Sequence, residues 1–465
     1  MKNATVFEFT SYQFEPQNQR VIFHYTTKFS EGEPLIFTET ISLPSIPNLE
    51  NIPKELLEKT LQSLHIILGI SYYKFYCGTN ISLPYQLSKR EATFFTTVYK
   101  KGLGEFFYKN NLDPKISPKF PVSVQVDQTV QVVQGELNGE RCEPLNRTLV
   151  GIGGGKDSIA ATELLKAGGF DFTSFHVKTH SPGSGQARQS DLADNIIQTI
   201  GEGELKLERQ LDPKVHDKHL YNGHIPISAV YAFLGVFAAI LYDYSQVIVS
   251  NEHSSNFGNL RYKGLEINHQ WSKSYEFELL FQNYVREFLT PDVFYFSLLR
   301  PFYEIRIVKL FAKYPQYFRQ FSSCNANFSS TKNMAGKLWC GHCAKCVFVF
   351  TLLSAFLPKK ELITIFGKNL YQDQTLLPMF KDILGLGAMK PFDCVGTFAE
   401  AQTALFLAKN KFTNDFVVRH FDKLSAGRAW FHKEVFQTNK ANSIPEQFRF
   451  LGMEKILIAG FGKEG

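Results

Sequence analysis

Apolar and polar residues alternate in the opening segments of the chain. The stretches 5–9 and 20–25 place apolar side chains at nearly every second position, which is typical of strands with one buried face. Helical spacing follows over 54–68 and 92–108. Residues 1–145 are therefore predicted to form an α+β domain, which is also a candidate for substrate binding.

Residues 146–350 alternate between apolar strand patterns and helical patterns. The predicted strands are 149–152, 172–177, 205–211 and 246–250. The predicted helices are 158–166, 191–200, 227–242 and 273–288. This alternation favours an α/β fold with a doubly wound parallel sheet, whose ligands bind beyond the carboxyl ends of the strands. The pattern of 351–465 is mostly helical, so three domains are predicted: 1–145, 146–350 and 351–465.

A glycine-rich turn joins the first predicted strand of 146–350 to its first helix. Residues 149–158 have the sequence Leu-Val-Gly-Ile-Gly-Gly-Gly-Lys-Asp-Ser. Consecutive glycines let a ligand approach backbone N–H groups, and the start of the following helix favours an anion. A Walker loop and a dinucleotide fingerprint are both excluded, because Asp157 follows Lys156 and Lys156 takes the place of the last glycine. The predicted phosphate-binding residues are Gly153, Gly154, Gly155, Lys156, Asp157 and Ser158.

Charge and length limit the partners of the chain. Its 465 residues suit about two or three domains, and its net charge of +6 comes without a run of like charges. A small anionic substrate is favoured over nucleic acid. The opening residues lack a secretion-signal pattern, and the longest apolar stretch, 225–242, is shorter than the ~20 residues that a bilayer needs. We expect a cytoplasmic enzyme without a nucleic-acid or membrane partner, and the oligomeric state is left open.

Four of the seven cysteines have the spacing of metal ligands. Cys340, Cys343 and Cys346 lie within seven residues, and Cys324 precedes them by a short loop. Four thiolates suit tetrahedral zinc, and an iron–sulfur cluster is the alternative. Disulfides are disfavoured without a secretion signal, and buried free thiols are the remaining alternative. A closed site of four thiolates predicts a structural role for the metal.

The glycine loop resembles the pyrophosphate loop of the ATP-pyrophosphatase (PP-loop) superfamily, whose pattern is Ser-Gly-Gly-x-Asp-Ser. Gly153 stands where the first serine is usual. The resemblance implies binding of ATP and Mg²⁺, cleavage of ATP to AMP and pyrophosphate, and adenylation of a substrate. A glycine-rich turn without a ligand is the alternative for the loop, and a solvent-facing position is the alternative for Lys156.

Several further blocks narrow the resemblance to one family. They are similar to the UDP-N-acetylmuramoyl-L-alanyl-L-glutamate epimerases of the MurL type, over about residues 71–396. The blocks are Asn-Gly-His-Ile-Pro at 222–226, Ser-Asn-Glu-His-Ser at 250–254, Asn-His-Gln-Trp-Ser-Lys-Ser-Tyr-Glu-Phe-Glu at 268–278, Tyr-Phe-Ser-Leu-Leu-Arg-Pro at 295–301, Trp-Cys-Gly-His-Cys-Ala-Lys-Cys at 339–346 and Lys-Pro-Phe at 390–392.

This resemblance implies an isomerase of peptidoglycan precursor synthesis and cell wall biogenesis. The implied reaction is ATP-dependent inversion of the terminal L-glutamate of UDP-MurNAc-L-Ala-L-Glu to D-glutamate. An α-proton beside a carboxylate is very weakly acidic, whereas an acyl-adenylate can accept the carbanion charge as an enolate. The alternatives are adenylation of another substrate, as in tRNA thiolation or 7-cyano-7-deazaguanine synthesis, and an ATP-binding protein without turnover.

Inversion at a carbon atom needs a proton acceptor and a proton donor. The candidates are His224, Glu252, His253, His269, Lys273 and Glu276. Their alternatives are ordinary structural roles: a satisfied histidine, a helix cap or Mg²⁺ ligand at Glu252, and a surface ion pair of Lys273 with Glu276.

Three further residues are weighed for the substrate. Arg261 and Arg300 are candidate clamps for the UDP pyrophosphate or the glutamate carboxylates, with surface salt bridges as the alternative. Cys394 can exchange a proton as a thiol, and a buried cysteine without chemistry is its alternative.

Overall fold

Strands that precede and follow the glycine loop join in one large sheet. The computed structural model describes residues 3–45, 49–122, 147–180, 186–217, 219–328, 336–422 and 430–449. Its strands are β1 (Ala4–Glu15), β2 (Arg20–Phe29), β3 (Leu35–Ser42), β4 (Asn80–Ser82), β5 (Thr148–Gly151), β6 (Thr173–His180), β7 (Gly203–Gln210), β8 (Gln246–Val249), β9 (Leu260–Tyr262), β10 (Leu265–Ile267) and β11 (Phe294–Ser297). β9 and β10 form a hairpin of their own.

The sheet has a parallel part and a mainly antiparallel part. Its strand order is β11-β8-β5-β6-β7-β3-β2-β1-β4. The strands from β11 to β7 pair in parallel, whereas β7, β3, β2 and β1 pair antiparallel, and β4 lies parallel to β1. The α/β fold with a large parallel sheet is thus confirmed. The predicted amino-terminal strands extend this sheet through the pairing of β3 with β7.

Helices cover both faces of the sheet. They are α1 (Lys54–Tyr73), α2 (Lys89–Gly102), α3 (Gly104–Lys109), α4 (Lys156–Ala167), α5 (Gln186–Ile200), α6 (Ile227–Tyr242), α7 (Tyr275–Tyr284), α8 (Glu304–Phe311), α9 (Ala344–Ser354), α10 (Lys359–Phe366), α11 (Leu377–Ile383), α12 (Phe398–Ala408), α13 (Phe416–Asp422) and α14 (Glu446–Arg449). Leu149 and Val150 of β5 enter different cores, because successive strand residues point to opposite faces.

Most predicted elements appear close to their predicted positions, with two instructive differences. The strands β3 and β11 were missed, and the short apolar run of β11 fits a strand or a buried helical segment equally well. The predicted helix 273–288 begins at Tyr275, because Trp271–Lys273 form a 3-10 turn and the Ser274 hydroxyl caps the helix by accepting a hydrogen bond from the Phe277 N–H.

The apolar stretch 225–242 forms the buried helix α6, as predicted. Among the described residues, no helix combines the length and apolar character needed to cross a bilayer. The elements described beyond residue 350 are helices. The predicted boundary at 145 lies outside the described residues, and the boundary at 350 falls within α9, so the three-domain division stays a prediction.

Candidate active site

The glycine loop runs from the carboxyl end of β5 into the first turn of α4. Gly154 has a φ of 85°, a left-handed conformation that favours glycine. A Cβ added to Gly155 would meet nothing within 4 Å, so open space adjoins the start of the helix. Gly155 is the N-cap residue and has no side chain that could cap the helix, and the Ser158 hydroxyl donates to the Gly155 carbonyl oxygen at 3.1 Å. The loop therefore fits an anion at its helix start.

Lys156 points into the protein, which excludes the solvent-facing alternative. Its side chain is 1% exposed, and Nζ lies 2.6 Å from Asp157 Oδ1 and 2.6 Å from Glu304 Oε1. Lys345 Nζ donates to the same Glu304 oxygen at 3.2 Å. Burial acts to lower the pKa of Lys156, but the two carboxylates outweigh it and raise that pKa. Lys156 therefore remains charged and holds Asp157 at the loop.

The segment after β8 contributes Glu252, which together with Asp157 and Lys273 forms what we call the charged group at the loop. Glu252 is 3% exposed, and burial raises its pKa although the Lys273 ammonium opposes this rise. Asp157 acts electrostatically on both Glu252 and Lys273. The carboxyl ends of β5 and β8 thus bring Asp157 and Glu252 together, as expected for parallel neighbouring strands, and the turn Trp271–Lys273 adds Lys273.

Arg300 is fully buried and supports this charged group from within the protein. Its Nε and Nη2 lie 2.9 and 2.8 Å from Glu278 Oε2. Its Nη1 donates to the Glu252 carbonyl oxygen at 2.8 Å, and Nη2 donates to that of Lys273 at 2.6 Å. These contacts position the backbone of both residues, and the role of Arg300 as an anion clamp stays a prediction.

A group that we name the thiol cluster adjoins Lys273 and joins distant parts of the chain. It consists of Glu105, His224, His269, Lys273 and Cys394. The Cys394 Sγ lies 3.9 Å from Lys273 Nζ, and the His269 side chain acts on the same thiol and lowers its pKa. His269 Nδ1 is hydrogen-bonded to Glu105 Oε2, and the rings of His224 and His269 lie 4.4 Å apart between centroids.

The two histidines of the thiol cluster have opposite pKa shifts. Burial acts to lower the pKa of His269, but Cys394 and Glu105 outweigh it and raise the pKa to about 10. Burial and the neighbouring His269 lower the pKa of His224 to about 3. Burial acts to raise the pKa of Glu105, but the two histidines outweigh it and lower the pKa to about 2. At neutral pH an imidazolium, a neutral imidazole and a carboxylate therefore adjoin one another.

The remaining predicted residues lie outside the thiol cluster. His253 Nε2 lies 3.1 Å from the Asn439 side-chain nitrogen. Glu276 pairs with Lys101, so it does not form the considered ion pair with Lys273, and Arg261 is exposed on β9. Their roles stay predictions.

The four predicted metal ligands converge in a second group, the four-cysteine cluster of Cys324, Cys340, Cys343 and Cys346. Cys324 Sγ lies 3.9 Å from Cys343 Sγ, and Cys340 Sγ lies 3.7 Å from Cys346 Sγ. Sulfurs about 2.3 Å from one tetrahedral ion lie about 3.8 Å apart. The sulfurs of this cluster are therefore placed to hold one metal ion.

Sequence reasoning missed part of this site. Glu105, Glu304 and Lys345 were not singled out. Cys394 was weighed as a thiol that exchanges a proton, but it was not among the six main candidates for proton transfer. Each of the three lies within a helix next to apolar or cysteine residues and is 1–5% exposed. A charged residue inside a pattern of buried positions was the available signal, because such residues are rarely buried unless they are paired.

Comparison with known proteins identifies the family. The model of the MurL N-terminal domain matches residues 1–298, and that of the MurL C-terminal domain matches residues 320–436. The chain belongs to the MurL family. It is 35% identical to the UDP-N-acetyl-alpha-D-muramoyl-L-alanyl-L-glutamate epimerase of Xanthomonas oryzae pv. oryzae, over 84% of each chain. Proteins with the same name from Micromonospora sp. and Salinispora tropica are 34% identical, over 88% of this chain and over 87% and 85% of their own.

This MurL family member is therefore an enzyme of the isomerase class, an epimerase. The family match also covers the amino-terminal 70 residues, in which no block of the resemblance was found. Glu105, His269 and Lys273 lie in the part matched by the N-terminal domain model, and Cys394 lies in the part matched by the C-terminal one. The thiol cluster therefore combines residues of both family domains.

Proposed function

We propose that this enzyme inverts the terminal L-glutamate of UDP-MurNAc-L-Ala-L-Glu to D-glutamate and consumes ATP to do so. The observation that carries the proposal is the position of the glycine loop beside a dense group of acid and base side chains. Asp157 belongs to the loop and acts electrostatically on Glu252 and Lys273. Activation and proton transfer therefore have residues in one site. The names of the relatives support this choice of substrate.

The glycine loop is proposed to bind the ATP phosphates, as in the PP-loop superfamily. Open space at Gly155 and the uncapped start of α4 suit an anion. The Ser158 hydroxyl can turn from the Gly155 carbonyl to donate to a phosphate oxygen. Mg²⁺ would supply positive charge between the phosphates and the attacking carboxylate, and Asp157 and Glu252 offer oxygen ligands for it.

ATP serves this epimerisation by activating the glutamate carboxylate. Attack of that carboxylate on ATP releases pyrophosphate and forms an acyl-adenylate. Its α-carbon can lose a proton because the carbonyl accepts the charge as an enolate. A cation placed where this charge develops lowers the barrier, and Lys273 is the candidate. Protonation on the other face and hydrolysis then release AMP and the D-glutamate product.

The other proposed ligands occupy separate positions. A structural Zn²⁺ in the four-cysteine cluster fits the sulfur spacing, and a closed set of four thiolates leaves no position for substrate. Arg261 on the exposed hairpin is a candidate for the UDP pyrophosphate. The proposed setting is the cytoplasm, and the product supplies peptidoglycan precursor synthesis.

The test uses purified protein with ATP, Mg²⁺ and UDP-MurNAc-L-Ala-L-Glu in D2O. We expect AMP, pyrophosphate and α-deuterated D-glutamate in the product. A Gly155→Val variant should lose all three products, because the new side chain fills the open space at the helix start. The backbone should tolerate valine, because Gly155 has an ordinary φ of −100°. Gly203→Ala is the matched control, since its Cβ would make only ordinary contacts with Thr173. Wild-type protein that forms neither AMP nor D-glutamate would contradict the proposal.

A further inference from the structure

We propose that Cys394 exchanges a proton with the α-carbon of the activated glutamyl group, and that His269 and Glu105 position its thiol. This inference rests on the proposed function, because it assigns a residue to the deprotonation step. It also assigns the C-terminal region a role in proton transfer, a step that the glycine loop does not provide.

The contacts of Cys394 form a connected chain of side chains. Its Sγ lies 3.9 Å from Lys273 Nζ, and His269, which also acts on the thiol, is hydrogen-bonded through Nδ1 to Glu105. A reactive sulfur beside a histidine that a carboxylate orients is an arrangement that activates cysteine in other enzymes, because the imidazolium stabilises the thiolate. Lys345 Nζ also donates to the Cys394 carbonyl oxygen, which holds the backbone that carries the thiol.

The position of the thiol suits a reacting group. Cys394 is only partly buried, whereas Cys77 and Cys346 are buried. Lys273 connects Cys394 to the residues at the loop, because its Nζ lies 3.9 Å from the sulfur and it interacts electrostatically with Asp157 and Glu252. A glutamyl group activated at the loop therefore has the thiol within the same site.

The charges around the sulfur favour its thiolate form. Burial acts to raise the pKa of Cys394, but Lys273 and His269 outweigh it and lower the pKa to about 7. By contrast, burial alone raises the pKa of Cys77 to about 12. The charged groups that face Cys394 are Lys273, His269, Lys345 and Lys390.

The proposed step conserves atoms and charge. The Cys394 thiolate takes the α-proton, so the Cα–H bond breaks and an S–H bond forms. The bonding electron pair moves into the acyl group and leaves its negative charge on the carbonyl oxygen as an enolate. Return of a proton to the opposite face, from a second acid in equilibrium with water, re-forms the Cα–H bond with inverted configuration.

Two partial reactions separate this inference from the proposed function. Substrate-dependent exchange of labelled pyrophosphate into ATP reports adenylation, and deuterium uptake at the glutamyl α-carbon reports deprotonation. In Cys394→Ala we expect unchanged pyrophosphate exchange and deuterium uptake slowed about 10²–10⁴-fold, the usual contribution of a positioned acid or base. Cys77→Ser is the matched control and should retain both reactions.

Each outcome is decisive. Wild-type deuterium uptake in Cys394→Ala would overturn the inference but leave the proposed function intact. Absence of pyrophosphate exchange in the wild-type protein would remove the proposed function itself. Loss of deuterium uptake from one substrate epimer or from both would support the inference. Loss from one epimer indicates that a second residue exchanges the proton on the other face of the α-carbon, and loss from both indicates that Cys394 is needed for both faces.

A measurement on the wild-type protein covers the case in which Cys394→Ala fails to fold. Iodoacetamide should alkylate Cys394 with a pH midpoint near its pKa of about 7, and mass spectrometry identifies the modified peptide. Alkylated protein should keep pyrophosphate exchange and lose deuterium uptake. Full deuterium uptake by protein with Cys394 completely alkylated would overturn the inference.

Discussion

The four-cysteine cluster and the thiol cluster both contain sulfur, but their surroundings differ. In the four-cysteine cluster the sulfurs lie 3.7 and 3.9 Å from one another in two pairs, and backbone N–H groups such as that of Cys346 point to them. In the thiol cluster a single sulfur faces the Lys273 ammonium and the His269 imidazole.

The difference fits the two uses that we propose for the thiolate. Four thiolates within one small volume repel one another, so a cation must neutralise them, and the metal then occupies every sulfur. One thiolate beside fixed cationic side chains is stabilised without a metal and keeps an electron pair for proton transfer. Lys345 connects the two regions, since it precedes Cys346 and its Nζ donates to the Cys394 carbonyl oxygen and to Glu304.

The largest effect is expected from breaking the four-cysteine cluster. Cys343→Ser removes one sulfur but keeps a side chain that can cap α9, so the metal ligand alone is lost. Structural zinc supplies on the order of 10 kcal/mol in small zinc domains, so the variant should lose its metal and unfold at a much lower temperature. Metal content and thermal unfolding by circular dichroism measure this, with Cys77→Ser as the control. A metal-free wild-type protein of unchanged stability would contradict the structural role.

A smaller loss of stability is expected at the connection between the two regions. Lys345→Met leaves the buried Glu304 with Lys156 as its remaining ammonium partner. Breaking a buried ion pair costs about 3–5 kcal/mol. Because the Lys156–Glu304 pair survives, we expect the free energy of unfolding of this variant to fall by about 3 kcal/mol or less. Denaturant unfolding measures the change. Lys360→Met, on the exposed side of α10, is the control and should unfold like the wild type.

Removal of the cation nearest the thiol should change reactivity more than folding. Lys273→Met removes the main charge that lowers the pKa of Cys394, so this pKa should rise from about 7 toward its usual 9.0. A rise of one unit from this value makes the thiolate fraction at pH 7 about fivefold smaller. The pH profile of Cys394 alkylation measures the shift, and an unchanged midpoint would show that Lys273 does not act on the sulfur.

The smallest effect is expected from the far end of the chain of contacts. Glu105→Gln removes a carboxylate that, after Cys394, raises the pKa of His269. A raised histidine pKa stabilises the fold below the usual value of about 6.5, and this stability is lost as the pH rises through about 10. Glu105→Gln should therefore reduce the fall of the unfolding free energy between these pH values. An unchanged pH dependence of the unfolding free energy would show that Glu105 does not raise the pKa of His269.

The sequence predicted the parts of this protein that depend on neighbouring residues. The glycine loop, the start of α4 and three of the four metal ligands each lie within one short segment. The parallel strands and the buried helix α6 were predicted from periodicity, because burial of one face or of all faces leaves a local pattern. The extension of the sheet by β3 was not predicted, since pairing between Thr40 and Gln210 joins residues far apart in the chain.

Two features were thus determined by the sequence alone: a glycine loop between a strand and a helix, and a group of cysteines with metal spacing. Only the tertiary structure brought Glu105, His269 and Cys394 together and paired Lys156 with Glu304. The physical reason is distance along the chain. A charged or thiol side chain shows no sign of its partner in its own segment, and its protonation state is decided by burial and by charges that the fold brings to it.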